Sequence, residues 1–316
     1  MLKFSIGIPA FKSKFLKECI DSILNQTYSC FELIIINDCS PEPIGKIIAE
    51  YSDDRISYFI NDRNNGAIHV VDNWNKCLKN ATGDYFVLMG DDDRLEPTYF
   101  QEFINLIAKY PGVDVYHCRS KIISEESIPY AITPINPEYE DIYDFILSCL
   151  KGHRQQYISD FVYKTSALKL KNGFYNLPLA WASDYVSAWI ACDKKGIAHT
   201  NATVFNYRVN KYSITSSNDI NSIILKAKAT YQCEDWIRNF MNHYPTGINK
   251  ILKHSLIQDE LIRHNRNRKA DVIKQIIRKA DVFLIKNILR LKNELGFTYK
   301  DIILTFIRLT VDKLQN

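Results

Sequence analysis

Asp91, Asp92 and Asp93 stand side by side at the end of an apolar run, Tyr85–Met89, with Pro97 shortly after them. Adjacent carboxylates repel one another, and a chain gathers them where a cation can neutralise them. Oxygen ligands of this kind suit a hard divalent ion, Mg²⁺ or Mn²⁺, better than zinc. The plainer alternative is a solvated turn, or a cap for a helix that opens near Pro97. Two other apolar runs also break at polar or turn-forming residues: Phe4–Pro9 leads into Pro9-Ala10-Phe11, and Phe31–Ile36 into Asn37-Asp38. In open α/β sheets ligands bind outside the carboxyl ends of the strands, so these three breaks are expected to meet in one crevice.

Such a crevice needs parallel strands. The run FSIGIP has the composition of a strand buried on both faces, and it is expected to end at Pro9, which a central strand does not tolerate. Leu16, Cys19, Ile20, Ile23 and Leu24 recur at helical spacing over Phe15–Gln26. Phe31–Ile36 then forms a second buried strand, stopped by the turn signal Asn37-Asp38-Cys39-Ser40-Pro41. Strand, helix, strand with short connections predicts a right-handed βαβ unit. The pattern continues with a helix near Ile44–Tyr51, a strand Ile56–Ile60, a loop Asn61–Gly66, a helix His69–Ala81, the strand Tyr85–Met89, a helix Pro97–Lys109 and a strand Val113–Cys118.

Regularity weakens through Ser120–Tyr143, where Pro129, Pro134 and Pro137 predict a long excursion. It returns as a strand at Asp160–Tyr163 and a helix at Ala182–Lys195. Beyond Asn218 the chain reads as helical, with Ile248, Ile251, Leu252, Leu256, Leu261 and Ile262 on one stripe and Val272, Ile276, Ile277, Phe283 and Leu284 on another. The expected architecture is a Rossmann-like, mostly parallel α/β sheet flanked by helices over residues 1–217, in halves of about 1–118 and 119–217. A basic helical C-terminal region, 218–316, follows it.

Composition agrees with a globular protein: 316 residues, 46% hydrophobic and 24% charged, with 11 Gly and 10 Pro, exclude collagen-like, mucin-like and wholly disordered classes. The net charge of +4 is too small to point to nucleic acid, yet it conceals an asymmetry, net −5 over residues 1–220 and +9 over 221–316. Arg263, Arg266, Arg268 and Lys269 in the basic tail are candidates for docking on an anionic membrane, each adding up to about 1 kcal/mol there. Solvated faces of packed helices explain the same charges. Eight singly scattered cysteines without a C-x-x-C pair read as reduced core thiols of a cytoplasmic protein. No apolar run approaches the roughly 18 residues of a membrane span, so membrane contact is expected to be peripheral, at the inner face. No G-x-G-x-x-G follows any strand, which argues against NAD chemistry.

FSIGIPAFK, FELIIINDCS, NWNKCLKNATGDYFVLMGDDDRLEP and GFYNLPLAWASDY occur in this order. Together they resemble family 2 of the inverting, nucleotide-sugar-dependent glycosyltransferases of the GT-A fold, over roughly residues 3–215. The resemblance implies that Pro9, Ala10 and Phe11 line a nucleotide pocket and that Asp38 pairs with the base. A carboxylate suits a uracil ring, which offers an N–H in its plane. An Asx-turn cap before Pro41 is the plainer use of Asp38. Asn65, Gly66 and Asn75 fall where the family keeps an N-x-G-like loop and an Asn before the fourth strand, with capping or packing as the alternative. Asp92 aligns with the metal-binding carboxylate of the family's D-x-D signature, and Asp91 with the neighbour that faces the ribose. Gly90 stands where many members have the first Asp, so Asp91, Asp92 and Asp93 are taken as a group that holds Mn²⁺ or Mg²⁺ against the leaving diphosphate.

Asp184, in Ser183-Asp184-Tyr185, matches the family's general base. A neutral hydroxyl is a poor nucleophile, and in-line attack with inversion needs a base opposite the leaving group. A helix N-cap is the bland alternative. Tyr207-Arg208 resembles the family's C-terminal Y-R-x-H segment, with Asn210 in place of the His. Arg208 would supply a fixed cation to phosphate oxygens, or else form a surface ion pair.

The expected function is therefore sugar transfer from a nucleoside diphosphate donor to a hydroxyl of a saccharide or lipid-linked saccharide, in bacterial-type surface polysaccharide or glycan biosynthesis. UDP is the first choice of nucleotide, with dTDP and GDP as alternatives. A catalytically silent nucleotide-sugar or glycan-binding module is a second class, favoured by Gly90 and Asn210 and opposed by Asp184. A metal-dependent nucleotidyltransferase is a third, opposed by the absence of glycine from IPAFKSK.

Overall fold

The computed structural model describes residues 1–211, 213, 215–243, 245–279 and 284–314, and Phe283 lies outside the described residues. The chain divides into two compact units, residues 1–176 with 183–213, and residues 177–182 with 214–316.

The first unit opens with β1 (Phe4–Ala10), α1 (Leu16–Leu24), β2 (Phe31–Asn37), α2 (Ile44–Ile48), β3 (Ile56–Ile60), α3 (Val70–Asn80) and β4 (Tyr85–Leu88). β5 (Arg94–Leu95), α4 (Tyr99–Lys109), β6 (Val115–Ile123), β7 (Pro129–Ile132), β8 (Tyr139–Glu140) and α5 (Ile142–Leu150) follow. β9 (Phe161–Lys164), α6 (Thr165–Leu170), α7 (Ser183–Cys192) and β10 (Ile197–Arg208) complete it. The strands form one sheet in the order β3-β2-β1-β4-β9-β6-β10-β5, with β7 beside β6 and β8 beside β10. The long registers are parallel, β1 with β2 and β4, β2 with β3, and β6 with β10; the antiparallel pairs are short.

Alternation along the strands decides which helix covers which face. Phe4, Ile6 and Ile8 of β1 and Phe31, Leu33 and Ile35 of β2 share a core with Leu16, Cys19, Ile20 and Ile23 of α1 and Tyr99, Phe100 and Phe103 of α4. The rings of Phe4 and Phe100 stack there with centroids 4.8 Å apart. On the opposite face α3 approaches β1 so closely at Gly7 that a Cβ there would lie 2.4 Å from Cys77 Cβ.

Pro9 lies inside β1, opposite Ile36, where the strand was expected to stop. Met89 N donates to Gly7 O at 2.8 Å, so Gly7 faces β4; Pro9, two residues on, faces the same side after β4 has ended. Its missing N–H thus meets no neighbouring strand. The expected excursion at 120–143 is more ordered than its prolines suggested. β6 runs on to Ile123, β7 pairs back on it as an exposed edge strand opened by Pro129, and Asp141 caps α5 by accepting from the Tyr143 and Asp144 amides at 2.9 and 3.0 Å. β10 was not anticipated either. Its buried His199, Asn206 and Arg208 break the apolar alternation that marks a strand, and its register against β6 is irregular between His199 and Phe205.

The second unit is helical: α8 (Ile220–Phe240), α9 (Ile248–Lys279), α10 (Leu284–Leu295) and α11 (Tyr299–Leu314). Ile223, Ile224, Ala227, Val272, Ile273, Ile276, Phe297 and Ile302 form its core. The turn at Pro178–Ala180 packs with α8 in this unit, and the Lys226 ammonium lies 4.9 Å from the Trp181 ring centroid. Two of the four tail cations singled out above are internal. Arg268 is buried and donates to Glu234, and Lys269 reaches Asp301 at 3.2 Å. The stripe from Ile248 to Ile262 is largely uncovered, with Ile248 82% and Leu252 60% exposed, while Leu261 is buried. None of the eight cysteines forms a disulfide, and Cys39 is exposed instead of lying in the core. Among the described residues no helix is long and apolar enough to cross a membrane.

The approach of β1 to α3 sets a sharp requirement. Gly7→Ala should destabilise the fold by about 1–3 kcal/mol, because Cys77 belongs to a packed helix face that cannot move independently. Chemical denaturation measures this, and unchanged stability would contradict the packing described.

Candidate active site

The ends of β1, β2 and β4 are joined by side chains of the residues that stop them. Asp91 Oδ2 accepts hydrogen bonds from the Phe11 and Lys12 amides, both at 2.8 Å, so the turn after β4 holds the loop after β1. Asp38 N donates to Ala10 O at 3.0 Å, and Ser40 Oγ donates to Phe11 O. Asp38 is buried, and its Oδ1 accepts from Asn61 Nδ2 at 2.8 Å and Asn65 N at 3.0 Å. The loop carrying Asn65 and Gly66 is closed further by Asn73 Oδ1, which accepts from the side-chain amides of both Asn61 and Asn65. Pro9, Ala10, Phe11, Asp38, Asn65, Gly66 and Asp91 therefore meet at one edge of the parallel strands.

The three aspartates do not point to a common centre. Asp93 is buried; its Oδ1 accepts from Arg208 N at 2.8 Å, and burial, with the adjacent Asp92 charge, pushes its carboxyl well above the usual range. Asp92 is half-buried, and its Oδ2 accepts from Asn210 Nδ2 at 2.6 Å. Burial and Asp92 also raise Asp91, against the lowering effect of its two amide donors. Among the described residues no group of three or more His, Cys, Asp or Glu is arranged to hold a metal ion. Of the three carboxylates expected to act as one ligand group, Asp93 is turned inward onto β10. What is left, two half-buried carboxylates with oxygen donors alone, fits a hard divalent ion that takes its other ligands from a bound diphosphate, as Mg²⁺ sites commonly do. Gly90 has a local reason: a Cβ there would lie 2.7 Å from Asp93 Oδ2 and 3.2 Å from Asp92 Oδ1.

Two other expected ligand residues are used internally. The Arg208 side chain is fully buried: Nε donates to Asp92 O at 2.7 Å, Nη1 to Ser124 O, Glu125 O and Ser127 Oγ, and Nη2 to Glu18 Oε2 at 2.7 Å. Its plane lies 4.3 Å from the Phe15 ring centroid. Such a guanidinium is a cross-link and has no face to offer a phosphate. Asn75 likewise clasps the backbone of Phe174, accepting from its N at 2.8 Å and donating to its O at 3.3 Å. It braces α3 and does not face the crevice.

Asp184 lies in the first turn of α7, half-buried, and accepts from Tyr185 N at 2.9 Å. Burial outweighs that amide, and with the nearby Asp160 charge it lifts the carboxyl to about 7. Asp160 belongs to a chain of buried polar groups that sequence reasoning did not find. It accepts from Ser120 Oγ at 3.0 Å and Tyr157 N at 2.9 Å and lies 3.2 Å from His117 Nε2. His117 meets His199 through their Nδ1 atoms at 3.2 Å, and His199 reaches Glu140, which Arg154 grips with two donors. The chain draws on β6, β8 and β10, and no local motif marks it.

Residues 5–161 match the family model described as Glycosyl transferase family 2. A curated relative, glycosyltransferase GlyA of Streptococcus pneumoniae serotype 4, is 22% identical over 222 residues, 67% of this chain and 31% of that protein. Another, named WcaA for colanic acid biosynthesis in Escherichia coli K12, is 28% identical over 174 residues, 52% of this chain and 57% of its own. The chain thus spans about a third to just over half of the length of these relatives. Among solved structures, S. aureus TarS 1–349 in complex with UDP-GlcNAc superposes with a TM-score of 0.61 at 14% identity, covering 87% of this chain and 81% of that one. The mannosyltransferase PcManGT of Pyrobaculum calidifontis, in complex with GDP-Man and Mn²⁺, gives 0.56 at 14% identity, covering 97% and 84%. The fold is that of the GT-A glycosyltransferases, and through residues 5–161 the chain belongs to glycosyl transferase family 2.

Proposed function

We propose that the protein is an inverting glycosyltransferase, which moves one sugar from a nucleoside diphosphate donor to a hydroxyl of a saccharide or lipid-linked saccharide in surface polysaccharide or glycan assembly. The observation that carries this is the joining of three strand ends by Asp91 and Asp38, at the edge where an open α/β sheet takes its ligand. The family match, a relative named for colanic acid biosynthesis and structural neighbours titled with UDP-GlcNAc and GDP-Man support the same reading.

In this mechanism Pro9, Ala10 and Phe11 line the nucleotide, and Asp38 accepts the base N–H through Oδ2 while Asn61 and Asn65 hold Oδ1. UDP is the preferred nucleotide on that ground. Asn65 and Gly66 close the loop beside it. Asp91 keeps the β1 loop in register with the acidic turn, and Asp92, oriented by Asn210, faces the diphosphate together with Asp91. A divalent ion, Mn²⁺ or Mg²⁺, held by Asp92 and Asp91 would neutralise charge on the departing diphosphate. Asp184 takes the proton from the acceptor hydroxyl as its oxygen bonds to the anomeric carbon, on the face opposite the leaving group, and the configuration inverts. Peripheral contact with an anionic membrane through α9 belongs to the same reading; its exposed Ile248 and Leu252 and the excess of basic residues over 221–316 support it.

Asp184→Asn should lower turnover by about 10²- to 10⁴-fold and leave donor affinity unchanged, as turnover assays and titration calorimetry would establish. Parallel loss of donor binding would mark Asp184 as structural instead, and donor binding without turnover by the wild type would favour the silent module. The base must be ionised to act and its carboxyl is raised to about 7, so the turnover rate should fall tenfold per pH unit below about 7 and level off above it. A profile flat from pH 5 to about 8 would contradict this assignment.

A further inference from the structure

The second unit contains a cleft of about 550 Å³ formed by its own residues, which the mechanism above does not use. Buried Ile223, Ala227 and Val272 contribute apolar walls, and Trp181, 36% exposed, lines another part. Lys226 donates its ammonium protons to Thr215 O and Ser217 O at 2.8 and 2.6 Å while lying against the Trp181 ring, which holds the indole in position. Exposed Asn267 and Gln275 add amides that both donate and accept, and Thr230, His264 and Asp271 add further polar lining.

Arg268, 8% exposed, also lines the cleft. Its Nε and Nη2 donate to Glu234, whereas Nη1 is buried without a partner among the described residues.

An apolar base, an aromatic wall and polar groups of both hydrogen-bonding senses suit a sugar ring, with its apolar C–H face and its hydroxyls. A lipid tail would leave the amides unpaired, and a small anion would not fill the volume. We infer that this cleft is a saccharide-binding site of the second unit. The choice of a sugar as ligand rests on the transferase reading.

Saturation-transfer NMR on the full chain, with glucose, N-acetylglucosamine, glucuronic acid and maltotriose as probes, tests it. UDP binding by calorimetry is measured in parallel. At least one sugar should bind the wild type, and Trp181→Ala should weaken that sugar about tenfold while UDP affinity is unchanged. Should Trp181→Ala also lower UDP binding, Asn267→Ala at the exposed rim decides: a weakened sugar signal supports the site, and an unchanged one overturns it. Absence of binding by every sugar, or binding indifferent to both substitutions, overturns it as well. Failure of the wild type to bind UDP would instead count against the transferase reading, and sugar binding sensitive to Trp181 would still support the cleft as a saccharide site.

Discussion

Three neighbouring carboxylates at the end of a buried strand must be kept together although each raises the energy of the next. Two unit charges 4 Å apart interact by about 4 kcal/mol at an effective dielectric of 20. The chain meets this by giving each aspartate a different holder. Asp91 is bound by the amides after β1, Asp92 by Asn210, and Asp93 by the backbone of Arg208. The arrangement forces β10 to finish beside the acidic turn, and it makes Arg208 a buried tie to Glu18 and to the 124–127 turn. Much of the site's geometry follows from the need to hold this turn.

The same constraint explains what could be read in advance. β1, β2 and β4 were legible because strands buried on both faces are nearly continuous apolar runs, and the residues that end them are the ones that meet. Asp38 and the triplet Asp91-Asp92-Asp93 could be singled out from that position, whereas their separate roles rest on the family resemblance. The internal bonds of Arg208 and Asn75 were not legible, because sequence records a residue's chemistry but not whether its valences are already taken. One is saturated by carbonyls and a carboxylate, the other by the backbone of Phe174. β10 and the chain from Asp160 to Arg154 were hidden for a related reason: His117, His199 and Glu140 carry no local motif, and distant strands bring them together.

Asp184 illustrates a balance of opposing effects. The start of a helix and the Tyr185 amide favour its ionised form, while burial and Asp160 oppose it, and the latter prevail. The outcome is a carboxyl that titrates near neutrality, as a base acting on a hydroxyl requires. The departures from the family pattern at Gly90 and Asn210 likewise have local counterparts, room for Asp93 and a hydrogen bond to Asp92.

The central claim is that the joined ends of β1, β2 and β4 bind a nucleoside diphosphate, where Asp92 and Asp91 would hold a divalent ion that neutralises its charge. Thermal unfolding with UDP, GDP or dTDP, each with and without Mn²⁺, tests it most directly. One nucleotide at about 100 times its dissociation constant should add roughly 2.7 kcal/mol of stability, more with Mn²⁺ present, while Mn²⁺ alone should add little. A folded sample that responds to none of the three nucleotides, with or without Mn²⁺, would contradict the account.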